Sequence, residues 1–323
     1  MSVNLNRQFS SAKRVIILLV LALVCITCFM TINLKGNINY ILMHRTWIML
    51  TMILVAFSAS TSTLLFQTLT NNRILTPSIM GFESLFVLIQ TIIIFFIDIQ
   101  GIPFIGVIGK FIFESLVLIF FSLFLYQGLL TKLKQNLHLV LLIGIVLGTL
   151  FRSFSNLLQR LMTPTEFAVL QSRIFATFTR AEPVLILFSL AIVTVIGLVL
   201  WQMRYRFDVL ALGRDNAISL GLDYQKNVSI ILLLVSILVA ISTALVGPFT
   251  FLGLLIANLA YSVSGSSQHR YLLPTAFLLG IIFLVGGQMF LERVLNMVGA
   301  LSIVIEFIGG TLFIFLLLKK VPK

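Results

Sequence analysis

Apolar stretches long enough to cross a bilayer recur along this chain from Val15 to Leu318, and most of its Lys and Arg fall in the short breaks between them. Hydrocarbon offers no water to an exposed N–H or C=O, so an apolar run there must pair its backbone within itself, as a helix does. About 20 residues of helix cover the roughly 30 Å hydrocarbon core. The spans read from the sequence are 15–32, 48–66, 79–97, 103–126, 138–156, 183–201, 228–246, 250–264, 271–290 and 302–318, the eighth being short. Only 10% of the residues are charged and the mean hydropathy is +1.14. The longest break, 157–182, is too short for a soluble domain. The expected fold is an all-α membrane protein of about ten transmembrane helices, one domain over 1–323.

The formal charge of +12 invites a nucleic-acid reading, but its distribution points to a lipid bilayer. Alternation from an inner N-terminus puts fourteen of the 22 Lys and Arg inside, among them Arg7, Lys13, Arg14, Arg73, Arg204 and Arg214, and eight outside. That is the bias the positive-inside rule demands, and it places both termini in the cytoplasm. The excess charge sets topology and meets anionic lipid; no nucleic-acid partner is expected. The first apolar run is too long for the core of a secretory signal and no small-residue cleavage site follows it, so it reads as a retained helix. Cys25 and Cys28 sit inside that run with no further ligand near them, and His44, His138 and His269 lack ligand spacing. No metal site is expected.

The chain has no Walker A loop, no nucleophile elbow, no HExxH and no paired-carboxylate motif. It reads as a non-enzyme with no cofactor of its own. Transport against a gradient would then draw on a partner or on an ion gradient. A secondary transporter or channel, with Glu306 and the Lys110–Glu114 pair as ion sites, stands as the alternative class.

Three breaks differ from ordinary loops. Gln67–Gly81 is a polar inner connector in which Pro77 suits the first turn of the next helix, where a missing N–H costs nothing. In the second, Gly213 and Gly221 bracket Arg214, Asp215, Ala217 and Leu220; the spacing predicts a short surface helix over 213–222, closed by a C-terminal glycine. In the third, Val246-Gly247-Pro248 breaks an apolar run, and in transporters pieces of broken helix line the path, because irregular backbone is tolerated only beside protein or water.

These breaks carry a resemblance. Gln67, Asn72, Pro77 and Gly81, the Leu212-Gly213 to Leu220-Gly221 loop, Gly247-Pro248-x-x-Phe251-x-Gly253-Leu254, His269-Arg270-x-Leu272-Leu273-Pro274, and Gly309 with Phe313–Leu318 follow in order the motifs of the FecCD-type permeases of bacterial ABC importers. That family carries iron–siderophore, haem and cobalamin. The resemblance implies a cobalamin-importer-permease-like fold in the bacterial cytoplasmic membrane. It implies a second permease chain, ABC ATPase subunits holding ATP and Mg, and an extracytoplasmic binding protein. It makes 213–222 the coupling helix, and 138–156 and 302–318 the lining of the path. The chain departs from the pattern at Ile48, Arg73, Ala257, Asn258, Gln288 and Glu292. The stretches Gln159–Gln171 and Phe307–Gly310 resemble a subgroup handling catecholate siderophores, which pairs two different permeases; haem or cobalamin is the alternative cargo.

Residues that could carry mechanism follow. Glu306 is an ionisable group in the last apolar run, a functional candidate by default; a structural hydrogen bond is the competing role. Arg152, with Ser153 and Asn156, suits an anionic chelate, or snorkels from a helix end. Lys110 and Glu114 are one turn apart and read as a structural pair. Arg45, Arg160, Arg173 and Arg180 are the candidates for meeting acidic residues of the binding protein, against a solvated basic loop.

Overall fold

A computed structural model describes residues 2–32, 37–97, 106–125, 137–178, 182–295 and 301–320. These hold α1 (Ser2–Thr31), α2 (Ile38–Thr70), a 3₁₀ turn (Pro77–Met80), α3 (Phe82–Phe96), α4 (Gly106–Leu123), α5 (Leu137–Leu161), α6 (Pro164–Ile174) and α7 (Pro183–Gln202). There follow α8 (Arg204–Leu210), α9 (Arg214–Ser219), α10 (Tyr224–Val246), α11 (Leu252–Val263), α12 (His269–Arg293) and α13 (Leu301–Lys320). No strand occurs among the described residues.

Seven of these helices are long and apolar enough to cross a membrane, and three shorter apolar ones lie at Phe82–Phe96, Leu252–Val263 and Leu301–Thr311. Sequence-predicted spans and helices differ chiefly at the ends. The span read as 48–66 is the middle of α2, which runs 33 residues and so about 50 Å, well beyond the hydrocarbon thickness. The span read as 79–97 loses its first turn to the 3₁₀ segment, where Pro77 takes the first position and Gly81 (φ 94°) turns the chain into α3. The break 157–182 is largely helical. α5 continues to Leu161, and Thr163 and Glu166 form a reciprocal capping box that starts α6 at Pro164.

α2 is the centre of the bundle. It packs on α7, α10, α11 and α12, and from Leu64 to Thr70 every residue is buried. Association in lipid gains little from apolar contact alone, so small residues that admit close backbones set the packing. A Cβ on Gly280 would lie 3.1 Å from the Ala56 carbonyl, and one on Gly253 would strike Thr63 Oγ1 and lie 3.0 Å from the Ala59 carbonyl. The crowd of Ser58, Ser60, Thr61, Ser62 and Thr63 is therefore a packing face.

A close backbone-to-backbone approach joins the start of α3 to α5. A Cβ on Gly148 would lie 2.9 Å from the Gly81 Cα, and one on Gly81 would lie 3.0 Å from the Gly148 Cα and 3.2 Å from the Gly144 carbonyl. The start of α3 is pressed backbone to backbone on the middle of α5. Farther along, Thr91 and Ser155 hydroxyls hydrogen-bond at 2.8 Å. Lys110 and Glu114 form the expected pair at 3.5 Å, with Glu114 3% exposed and accepting from Gln90 Nε2 at 2.6 Å. Gly148→Ala is expected to cost about 1–3 kcal/mol by overpacking, read as a lowered midpoint of thermal unfolding in detergent. Gly286→Ala, where an added Cβ meets nothing within 4 Å, should leave the midpoint unchanged.

Candidate functional site

Two constellations stand at opposite ends of α10. Its 23 residues, about 35 Å of helix, separate them.

Before its N-terminus lies α9. Gly213 (φ 92°) and Gly221 (φ 82°) adopt backbone conformations that L side chains rarely take. The Gly221 N–H donates to the Ile218 carbonyl and the Leu222 N–H to the Ala217 carbonyl. These bonds close the short helix that the spacing predicts. Ala217 is fully buried and anchors it, while Leu212, Ile218 and Leu220 are 51% or more exposed beside exposed Arg214 and Asp215. Exposed apolar groups ringed by charge mark an interaction surface.

The polar break after α2 lies close by. Asn71 closes α2 in the left-handed conformation, φ 49°. The Arg73 carbonyl accepts from Gln67 Nε2 at 2.7 Å and Asn258 Nδ2 at 3.0 Å, and the Arg73 guanidinium lies over the Tyr261 ring, 4.4 Å from its centroid. Side chains thus satisfy a stretch that has no helix of its own. Arg73 and Asn258, both departures from the family pattern, meet here.

Beyond the C-terminus of α10, Gly247 (φ 103°) and Pro248 lead into Thr250. The Thr177 N–H donates to the Val246 carbonyl at 3.0 Å, tying the strand-like exit of α6 to this break. Here a cavity of about 190 Å³ is lined by Glu83, Arg152, Phe175, Thr250, Ser302 and Glu306, among others. Arg152 and Glu306, far apart in the sequence, share it. Thr250 Oγ1 donates to Glu83 Oε2 at 2.9 Å. Arg152, Ser153 and Asn156 lie together on the exposed face of α5, while Ser155 is buried against Thr91.

Glu83 is the residue that sequence reasoning missed. The signal was present: a lone carboxylate opening an apolar helix is as anomalous as Glu306. Its placement follows from the Gly81–Gly148 contact, which sets the first turn of α3 one helical turn below Arg152. Two carboxylates and one guanidinium around one cavity form a mixed-charge lining.

The basic candidates divide. Arg160 is exposed in the last turn of α5, eight residues and so about 12 Å beyond Arg152. Arg173 lies in the last turn of α6. Arg180 lies outside the described residues. Arg45 is turned onto α1: its Nη1 donates to the carbonyls of Phe29 at 2.9 Å, Met30 at 3.3 Å and Ile32 at 2.9 Å. Arg293 Nη2 adds a bond to Ile32 at 2.8 Å. Two cations thus cap the negative end of α1.

Against this geometry, a model of the FecCD transport family matches residues 14–319. The chain belongs to the FecCD transport family. Among curated relatives, petrobactin import system permease protein YclO of Bacillus subtilis (strain 168) is 44% identical over 95% of this chain and 97% of its own length. FatC, a petrobactin import system permease protein of Bacillus anthracis, is 39% identical over 83% of this chain and 76% of its own length. A second Bacillus subtilis petrobactin permease, YclN, is 24% identical over 84% of each chain. Among solved structures, an inward-facing metal-chelate type ABC transporter superposes with a TM-score of 0.82, covering 95% of this chain and 99% of that one at 23% identity. That last likeness speaks to the fold. As a family member the chain is a multi-pass protein of the cytoplasmic membrane.

Arg45→Gln is expected to lower the stability of the bundle by about 1–3 kcal/mol, since it strips a charged donor from three carbonyls. A Lys at the same place keeps a charged nitrogen with donors for these carbonyls but on a shorter side chain, and should restore only part of it. Thermal unfolding in detergent measures both.

Proposed function

We propose that this chain is the membrane-spanning subunit of an ATP-driven importer for a ferric siderophore, with petrobactin or a related catecholate chelate as cargo. The observation that carries the reading is α9: an exposed, glycine-bracketed knob on a chain of the FecCD family that is 44% identical to a petrobactin permease. The subunit itself does no chemistry. ATP and Mg sit on a separate ATPase that grips Gly213–Gly221, with Arg214, Asp215 and Leu220 facing it and Ala217 holding the knob to the bundle. The presence of two distinct petrobactin import system permeases, YclO and YclN, in Bacillus subtilis (strain 168) supports a heterodimer. Ten membrane crossings with both termini inside, from the charge bias along the sequence, put α9 in the cytoplasm and the Glu83–Arg152–Glu306 cavity toward the outside.

In this reading Arg152, Ser153, Asn156 and Glu306 line the path between the two permeases, joined by Glu83. Arg152 meets anionic oxygens of the chelate. A carboxylate repels an anionic chelate, so Glu83, held by Thr250, and Glu306 act in gating beside Arg152 rather than in holding the cargo. The binding protein docks at the outer end on Arg160, Arg173 and Arg180, with Arg45 shaping that surface through α1. ATP binding moves α9, and the difference in its contacts between the two ATPase states is the coupling energy.

The decisive experiment is reconstitution in proteoliposomes with the co-purifying ATPase and binding protein, followed by uptake of labelled ferric petrobactin, haem and cobalamin. ATP-dependent uptake of the siderophore alone is expected; transport by the purified chain unaided would overturn the reading. Ala217→Glu, which forces a charge into a closed contact, is expected to displace α9 and abolish ATPase co-purification, while Ser219→Glu on its exposed side leaves the fold intact. Glu306→Gln is expected to leave assembly unchanged and to lower uptake, measured as initial rate at fixed ATP.

A further inference from the structure

Between the end of α2, α8 and the start of α12 lies a cavity of about 350 Å³, beside the stem of α9, lined by Gln67, Asn71, Asp208, Leu212, Tyr261 and His269 among others. One wall is a closed chain of hydrogen bonds that no role assigned above uses. Asp208 Oδ1, on α8, accepts the backbone N–H of His269 at 2.8 Å and stands 2.7 Å from its Nδ1. His269 Nε2 stands 2.8 Å from Thr68 Oγ1, on the last turn of α2. Thr68 Oγ1 also donates to the Leu64 carbonyl at 2.9 Å, so the hydroxyl ties the imidazole to the backbone of α2. The imidazole ring is 2% exposed and packs edge-on against Phe207, the neighbour of Asp208, with centroids 5.6 Å apart.

Three features give this node leverage. Gln268, at the N-cap of α12, supplies no side-chain cap, so the Asp208 carboxylate does so from another helix, at the positive end of the α12 dipole. Asp208 lies two residues before the end of α8, and only Ala211-Leu212-Gly213 separates α8 from α9. α12 and α2 are packed along their length, and α12 runs 25 residues, about 38 Å, toward the other end of the bundle.

We propose that Asp208 and His269 form the joint through which displacement of α9 is delivered to α12 and α2. They are positioning residues: α8 and α9 move as one piece, and the His269 ring passes that movement to the ends of two core helices at once. Without the joint, α9 still docks but slides over the bundle. This rests on the reading of α9 as the ATPase contact.

The test uses the assembled importer with Cys25 and Cys28 replaced by Ala and spin labels at Ala211→Cys, on the stem of α9 and outside the gripped segment, and Arg270→Cys, both exposed. In the otherwise unaltered protein, ATP should leave the spacing between the stem of α9 and the start of α12 unchanged. In Asp208→Ala, ATP should shift or broaden it, with ATPase co-purification and hydrolysis retained and ferric petrobactin uptake per ATP reduced about tenfold. Asp208→Ala with His269→Ala should be no worse than either alone. His269→Asn keeps an amide where Nδ1 stood and should hold the spacing; His269→Gln keeps one where Nε2 stood and should lose it, at similar thermal stability. Spacing that responds to ATP equally with and without Asp208, or uptake that falls only in step with lost ATPase, would overturn the joint. Failure of any ATPase to co-purify with the unaltered chain would instead remove the reading of α9 beneath it.

Discussion

The bundle depends on backbone meeting backbone where no hydrophobic force draws helices together. Lipid is as apolar as leucine, so helices in it gain by approaching closely and by leaving no polar group unpaired. Gly81 against Gly148, Gly280 against Ala56 and Gly253 against Ala59 are those approaches. Gly280 and Gly253 seat α12 and α11 on the central α2, and Gly81 seats α3, with Glu83, on α5, with Arg152. Replace the glycines and the helices stand apart, and the cavity between α3, α5 and α13 no longer has its shape.

The same constraint explains where the polar residues go. A regular helix in hydrocarbon needs no side-chain help, but the break at 71–81 does. Gln67 and Asn258 satisfy the Arg73 carbonyl, and Asn72 accepts from the Ile74 N–H. Irregular backbone and charge concentrate at the two ends of α10. One end offers an exposed knob on a hydrogen-bonded base; the other offers a mixed-charge cavity beside a Gly-Pro break. A long helix is stiff, so what turns one end displaces the other. That is the physical basis on which a motor outside the membrane can act on cargo within it.

Much of this was legible along the chain. The apolar runs, the glycine-bracketed 213–222 helix, the Lys110–Glu114 pair and the Gly-Pro break are local: each depends on residues within a turn or two, and period and spacing report them directly. Helix ends were less legible. α2 outruns its apolar core because tertiary packing buries Thr68 and Thr70, and the 157–182 break hides a helix because its capping box lies between segments that composition reads as polar.

The sequence by itself determined that this chain must cross a membrane as helices, which side its charges favour and where the helices break, because those follow from transfer free energy and local backbone chemistry. The tertiary structure decided which breaks meet. That Arg152 shares a cavity with Glu83 and Glu306, that Arg45 caps α1, and that Asp208 caps α12 through His269 are long-range pairings. No spacing encodes them, since each joins residues far apart along the chain through the packing of their helices; for Glu83 and Arg152 that packing is the Gly81–Gly148 contact.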